Sequence, residues 1–463
     1  MLRKLRITLA ILMILTVTLL FVGVGYGIDR WIGWAAKIQF LPALLALNFI
    51  VVAVLLVITL LFGRVYCSIV CPLGIMQDIY SWLGGKFKKN RFSYVKEHKW
   101  LRYTVLVLFV ACLVIGFVPV TTLLAPYGTY GRIVTSFYMH NLTVSIIAWV
   151  VMLILGVLAF LYGRAYCNSI CPVGTLLGFF SRFSLFRVRF DQDKCKQCGL
   201  CEKNCKSRAI DAKAGKVDYS RCVACFDCTA QCKFDALHYT AKRPVPQSEP
   251  TPVEPDQGRR SFLVGAALAT GTAVMAQAEM KVDGGLAVIT EKQAPKRETP
   301  ITPPGSGSAR HMQQHCTACQ LCVSACPNHV LRPSTDLMRF MQPTLSYEVG
   351  YCRPECTRCS QVCPTGAIQP ITKEQKTAIH VGHAVWVKSN CVVLTDGVSC
   401  GNCARHCPTG AIQMVEYQHN GQTVMIPAIN ESRCIGCGAC ENLCPSRPFS
   451  AIYVEGNQMH QID

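Results

Sequence analysis

Apolar residues dominate four stretches, near residues 7–27, 39–62, 103–120 and 143–162, each about long enough to cross a hydrocarbon core as a helix. Their order predicts two helical hairpins. Charge then sets an orientation. The chain opens Met1-Leu2-Arg3-Lys4-Leu5-Arg6, and Lys86, Lys88, Lys89, Arg91, Lys96, Lys99 and Arg102 crowd the loop between the hairpins. The turns at 28–38 and 121–142 carry few charges. Basic flanks mark the cytoplasmic side of a membrane protein, so the N-terminus and the lysine-rich loop are expected inside.

Past residue 185 the pattern changes. Residues 186–241 are polar and hold eight cysteines, which predicts a small cytoplasmic domain, and 242–257 form a proline-rich, stiff, extended linker. Within 258–280, Gly258-Arg259-Arg260-Ser261-Phe262-Leu263 leads into an apolar, Ala- and Gly-rich run. That is the form of a twin-arginine export signal, and equally of a fifth membrane helix with arginines at its cytoplasmic end. Both send the remainder of the chain across the membrane. Ala276-Gln277-Ala278 has the small-x-small pattern of a signal-peptidase site. A second linker, 281–310, precedes a final domain, 311–463, with sixteen more cysteines. The expected fold class is multi-domain: an α-helical membrane bundle of four helices, or five, over 1–185, plus two small α+β ferredoxin-like iron-sulfur domains.

The formal charge of +19 raises nucleic acid as a partner. The basic residues form no stripe with interleaved aromatics, however, and concentrate beside apolar segments, so the positive-inside bias accounts for them. The 29 cysteines change the picture more. All but Cys112 fall in short, regular groups, the pattern of metal sites rather than of a disulfide scaffold.

Cys195, Cys198, Cys201 and Cys205 form C-x2-C-x2-C-x3-C, and Cys222, Cys225, Cys228 and Cys232 repeat it. In this bacterial ferredoxin spacing three thiolates wrap one [4Fe-4S] cubane and the fourth ligates its neighbour. The predicted sets are therefore Cys195, Cys198, Cys201 with Cys232, and Cys222, Cys225, Cys228 with Cys205. Lys206 and Lys233 stand where ferredoxins usually have proline. Zinc is the alternative, although zinc motifs normally separate two C-x2-C knuckles by a longer loop. The final domain has four groups ending in C-x2-C-x3-C-P: Cys316, Cys319, Cys322, Cys326; Cys352, Cys356, Cys359, Cys363; Cys391, Cys400, Cys403, Cys407; and Cys434, Cys437, Cys440, Cys444. Crossed ligation is expected there too, with the pairing of fourth cysteines open. The total is about six [4Fe-4S] clusters.

A third constellation lies in the membrane part. Gly63-Arg64-Val65-Tyr66-Cys67-Ser68-Ile69-Val70-Cys71-Pro72-Leu73-Gly74 recurs as Gly163-Arg164-Ala165-Tyr166-Cys167-Asn168-Ser169-Ile170-Cys171-Pro172-Val173-Gly174. The hairpins are thus a duplication, and Cys67, Cys71, Cys167 and Cys171 form a further redox or metal site, a redox-active dithiol pair or a structural core. Cys112, alone in an apolar helix, reads as a small core residue. Arg132 and His140, in the outer loop, are candidates to touch a quinone headgroup or to lie uninvolved at the interface. C-x-x-C-H is absent, so covalent c-type haem is not supported, and no phosphate loop, dinucleotide fingerprint or Ser-His-Asp arrangement stands out.

On these motifs residues 1 to about 240 resemble the NapH family of membrane quinol dehydrogenase components, and 256–463 resemble the NapG family of exported, twin-arginine ferredoxins. The fusion departs from that two-protein pattern. The resemblance implies a multi-pass protein of the bacterial inner membrane, with 186–241 cytoplasmic and 281–463 periplasmic. It would oxidise quinol and pass electrons to a periplasmic reductase or cytochrome, as in nitrate respiration. It is expected to be an electron-transfer component of a larger oxidoreductase, with no substrate site of its own and no nucleic-acid partner. The alternatives are a relay from a cytoplasmic donor and an assembly or maturation factor for a periplasmic metalloenzyme, similar to NosR.

Overall fold

Two breaks in the apolar stretches decide the helix lengths. The second stretch is interrupted where Leu47 adopts a left-handed backbone (φ 54°) and the Asn48 side chain caps the next helix by accepting from Val51 N at 3.3 Å. The third stops at Gly116 (φ 84°). The computed structural model describes residues 2–22, 29–87, 92–138, 142–191, 194–241, 282–283, 287–288 and 290–462. The Arg259-Arg260 signal, Ala276–Ala278 and His140 lie outside the described residues. Met1–Ala241 and Lys292–Asp463 make one compact unit; in the other, Lys242–Glu291, Val282–Asp283 pairs with Ala287–Val288.

The main helices of the first half are α1 (Leu2–Val22), α2 (Phe40–Leu45), α3 (Phe49–Phe62), α4 (Pro72–Phe87), α5 (Lys99–Ile115), α6 (Val118–Leu124), α7 (Pro126–Thr135), α8 (Leu142–Tyr162) and α9 (Pro172–Ser181). Of these, α1 and the Ser145–Tyr162 part of α8 are long and apolar enough to cross a membrane; α3, at 14 residues, is shorter. The expectation of four spanning helices is therefore met in length by two. The breaks at Leu47 and Gly116 shorten the others. The expected turn at 121–142 is corrected as well: it contains α7, which packs against α1, α4 and α8.

α4 escapes the hydropathy pattern because its inner face is polar: Gln77, Asp78 and Ser81 are buried in it. Asp78 gathers charge from three segments. It pairs with Arg164 at 2.7 Å, with Lys206 at 3.5 Å and, in a short contact, with Arg6. The Arg164 side chain is fully buried and those of Arg6 and Asp78 are nearly so. A buried ion pair is retained only where hydrogen bonds offset desolvation, and removing one partner strands the other.

The small domain closes as an antiparallel pair, β1 (Phe186–Phe190) with β2 (Leu237–Ala241). It seats on the end of the bundle where α3 and α8 finish. Tyr239 Oη donates to Phe62 O at 2.9 Å, Leu185 N to Leu60 O at 2.8 Å, and Arg3 of α1 pairs with Asp227 at 2.8 Å. The loop before α5 wraps the same domain, with Arg221 Nη1 donating to Val95 O at 2.6 Å.

The final domain is built on short pairs, β3 (Leu331–Pro333) with β4 (Pro343–Leu345), β5 (Ile379–Trp386) with β8 (Ile452–Ile462), and the hairpin β6 (Ile412–His419) and β7 (Gln422–Ile429). It meets the opposite end of the bundle. Gln313 Nε2 donates to Gly116 O at 3.1 Å, and Tyr138 bridges Phe21 O of α1 and Ser324 Oγ at 2.9 Å each. The two cysteine-rich domains thus sit at opposite ends of α1, whose 21 residues span about 32 Å at about 1.5 Å per residue.

Replacing Asp78 with Leu leaves Arg164 and Arg6 buried without their acid, and the expected loss of stability is about 3–5 kcal/mol. Thermal unfolding in detergent measures it; a variant as stable as the parent would show that the pairs contribute nothing.

Candidate metal centres

The duplicated motif explains itself once the two copies face each other. Gly63 (φ 76°) and Gly163 (φ 68°) take the left-handed turn that ends α3 and α8. Arg64 Nη2 then reaches across to Cys167 O at 3.1 Å, and Arg164 Nη1 to Cys67 O at 2.8 Å. Each arginine grips the cysteine loop of the other copy. Gly74 and Gly174 are needed because a Cβ would stand 2.3 Å from Cys67 O and 2.2 Å from Cys167 O. The tyrosines tie down the entering segments: Phe40 N donates to Tyr66 Oη at 3.0 Å, and Tyr166 Oη to Leu124 O at 3.4 Å.

Cys67, Cys71, Cys167 and Cys171 are brought together by this exchange. All four are buried, and Cys171 lies near each of the others. Gln77 Nε2 donates to Cys167 Sγ at 3.2 Å, Gly174 N to Cys171 Sγ at 3.4 Å, and Arg64 Nη2 lies 3.8 Å from Cys67 Sγ.

In the small domain Cys195, Cys198, Cys201 and Cys232 line one cavity, and Cys205, Cys222, Cys225 and Cys228 line the next. In the final domain the crossing, left open by the sequence, runs between adjacent groups. Cys316, Cys319 and Cys322 share a cavity with Cys363, and Cys391, Cys400 and Cys403 share one with Cys444. The reciprocal sets complete the pattern: Cys359 interacts with Cys352, Cys326 and Cys356, and Cys437 with Cys434 and Cys407. Cys352 N donates to Cys437 O at 2.9 Å, which joins the two pairs of sites through their middle members. Cys112 is buried within α5, as a core residue would be.

A model of a 4Fe-4S binding domain matches residues 44–90 and 142–191, once for each copy of the duplicated motif. A 4Fe-4S dicluster domain matches 315–367 and 398–447, and another 4Fe-4S binding domain 187–210. The methylamine utilization ferredoxin-type protein MauM of Methylobacillus flagellatus is 31% identical over 165 residues, 35% of this chain and 70% of the relative. The ferredoxin-type protein NapF of Escherichia coli K12 is 28% identical over 179 residues, 38% of this chain and all of the relative. Protein MJ0749 of Methanocaldococcus jannaschii is 30% identical over 194 residues, 40% of this chain and 68% of the relative. The chain belongs to the 4Fe-4S ferredoxin-type family. Its function is iron-sulfur electron transfer.

The thiol sets of this ferredoxin-type protein fit clusters better than single ions. Among the described residues no three His, Cys, Asp or Glu side chains converge to hold one ion, whereas zinc needs all its thiolates about 2.3 Å from one point. Each of four such sets instead lines a cavity with its four thiols spread around the walls. No cysteine is paired in a disulfide. Burial pushes the thiols of Cys225, Cys319 and Cys437 up to about 12, so iron loading must displace their protons.

Charge gives a second test of fit. Arg64, Arg132 and Lys376 are buried, and among the described residues none has a carboxylate partner. Each faces thiols instead. Arg64 lies beside Cys67, Arg132 interacts with Cys319 and Cys316, and Lys376 Nζ donates to Cys352 Sγ at 3.3 Å. A buried cation needs a counter-charge, and a thiolate-bound cluster supplies one.

Four features of the ferredoxin-type chain escape the sequence pattern. Lys206, a departure from the proline pattern, pairs with Asp78 and with Asp227 at 3.0 Å, and its carbonyl accepts from Arg164 N at 2.8 Å. Its position in place of proline is the available signal. Lys376 has none. Gly128 and Gly131 of α7 carry the thiol loop of the final domain: a Cβ on either would stand 2.5 Å from Thr317 O or Cys319 O. Arg132, a candidate either to touch a quinone headgroup or to lie uninvolved at the interface, is buried and donates to Thr122 O at 2.7 Å and to Ala318 O at 3.2 Å, so its guanidinium faces the protein.

Substituting Lys376 with Met removes a cation that favours the reduced, more negative state. The midpoint potential of one centre is expected to fall by about 60 mV, roughly a tenfold shift for one electron. A redox titration followed by electron paramagnetic resonance reads it, and an unchanged set of potentials refutes the role. Crossed ligation predicts that Cys363→Ser and Cys316→Ser lose the same resonance while Cys359→Ser loses another.

Proposed function

We propose that the six crossed thiol sets carry [4Fe-4S] clusters and that the chain is a membrane-bound electron-transfer protein joining the two sides of the bacterial inner membrane. When bound, the clusters take up and release single electrons. The chain's residues fix their spacing, exclude water and set their potentials.

The observation that carries this reading is the placement of two ferredoxin-type domains at opposite ends of α1, a helix about as long as a hydrocarbon core is thick. Arg3, Arg6 and the part of the basic loop around Val95 lie at the end that holds the small domain. The positive-inside bias makes that end cytoplasmic. The final domain then faces the periplasm, as the resemblance to the NapH and NapG families implies. α3 and α5, though short, complete the bundle as its second and third crossing segments, and 258–280 serves as the export signal or a further helix.

In the leading reading, quinol in the membrane donates electrons and the exported clusters pass them to a periplasmic reductase, such as a nitrate reductase system. A specific contact favours the second source, a cytoplasmic donor. Arg64, which grips the membrane thiols, donates to Ser220 O of the small domain at 3.0 Å, and Asn168 Nδ2 to Ser207 O at 3.0 Å.

Purified protein is expected to hold about 24 irons and as much sulfide, four for each of six clusters, and about 28 if the membrane thiols also bind one. Zinc, or no metal, at these cysteines sinks the proposal. Adding a soluble quinol and following cluster reduction by absorbance separates the two sources. Reduction that persists in Cys195→Ser supports quinol, and its absence in intact protein supports the cytoplasmic donor.

A further inference from the structure

The outer segment of the second hairpin enters the bundle and comes back out. α6 descends from Val118 to Leu124, where the carbonyl of Leu124 meets Tyr166 Oη at 3.4 Å, and α7 returns to Thr135. Irregular backbone at membrane depth is tolerated only where protein buries it, and this segment qualifies: Thr122, Ala125, Tyr127, Thr129 and Arg132 are all buried.

The two faces of this re-entrant pair touch different thiol sites. On one side Tyr166, which immediately precedes Cys167, lies near Cys171 and Cys71 as well. On the other, Gly128 and Gly131, one helical turn apart, let the loop from Thr317 to Cys319 lie directly on the α7 backbone. Arg132 spans the gap, interacting with Cys319 and Cys316 and with Tyr166. Tyr127 lies near Cys319 and Cys363. Its hydroxyl and that of Thr317 are buried without a hydrogen-bond partner. Unmet donors at a thiol-lined cavity are what an anionic cluster accepts from.

We propose that α7 is an electron junction: Cys67, Cys71, Cys167 and Cys171 hold a redox centre that exchanges single electrons with the centre at Cys316, Cys319, Cys322 and Cys363 across Tyr127, Arg132 and Tyr166. This rests on the proposed function, in which the crossed thiol sets hold clusters and lie on two sides of a membrane. It makes the chain one continuous path from the cytoplasmic domain to the exported one.

In each step one centre is oxidised by one electron as the next is reduced by one, with no bond made or broken and no proton taken up. A low-potential one-electron donor in the cytoplasm supplies the electron, and a one-electron acceptor outside, such as a haem protein, removes it. Each transfer carries a negative charge outward, so a potential positive outside speeds it.

The test uses the full chain in quinone-extracted, inside-out membrane vesicles, whose cytoplasmic face is exposed. Titanium(III) citrate, which does not cross the membrane, is added and the samples are frozen for electron paramagnetic resonance. The expected result is reduction of the exported centres as well as the cytoplasmic ones. Tyr166→Leu and Tyr127→Leu slow reduction of the exported centres at least about tenfold while leaving the cytoplasmic ones unchanged; Tyr127→Phe restores the rate, and it alters the resonance of one exported centre. If the exported centres stay oxidised until a detergent opens the vesicles and then reduce, clusters are present and the junction is refuted. If no iron-sulfur resonance appears after opening, the reading beneath it fails instead.

Discussion

The exchange of two arginines between the duplicated hairpins fixes how the two copies face each other, and much of the remaining structure depends on it. Arg64 and Arg164 are fully buried, and each donates to the cysteine-loop carbonyl of the opposite copy. These bonds bring four thiols together that are about a hundred residues apart in pairs. They also fix where the flanking helices end, because each arginine follows the left-handed glycine that terminates α3 or α8. Through Ser220 and Lys206 the same two residues seat the small domain. Charge-assisted bonds to carbonyls are strong where water is excluded, and two such pairs define a single register.

Buried cations face three of this protein's thiol sets. In ordinary domains a buried guanidinium is matched by a carboxylate; here Arg64, Arg132 and Lys376 face sulfur. Without bound anions that arrangement would cost several kcal/mol for each cation. It is therefore intelligible as a structure completed by what it binds, in the way that metal binding and folding are coupled in other cysteine-rich domains. The thiol-lined cavities take the place of a large apolar core in the final domain, whose helices are short.

The chemistry is legible in the sequence because it is local. Cysteines two and three residues apart read as groups, and the crossing of Cys205 with Cys232 comes from the ferredoxin spacing that they share. The duplicated Gly-Arg-x-Tyr-Cys motif announces itself by repetition. The hidden part depends on tertiary context. A window of hydropathy cannot see that Leu47 takes a left-handed turn or that α4 buries Asp78. Nor can spacing show that α7, in an apparent turn, carries a thiol loop on Gly128 and Gly131. Lys206 is visible only as an exception, and its reason lies on Asp78, far away in the chain.

The duplication is not symmetric, and one departure between the copies bears on both arginines. Asp78 in the first copy corresponds to Gly178 in the second, and the two residues do opposite things. Asp78 neutralises Arg164 and draws in Arg6 and Lys206. Gly178 leaves a space in which a Cβ would stand 2.6 Å from both Arg102 Nη2 and Ser220 O, so the small domain enters there instead. Arg64 consequently meets the Ser220 carbonyl where its twin meets a carboxylate, and its charge stays directed at the thiols. The absence of a side chain at Gly178 thus leaves room for Ser220 of the ferredoxin-type domain, and Arg64 stands beside Cys67 with no carboxylate partner among the described residues.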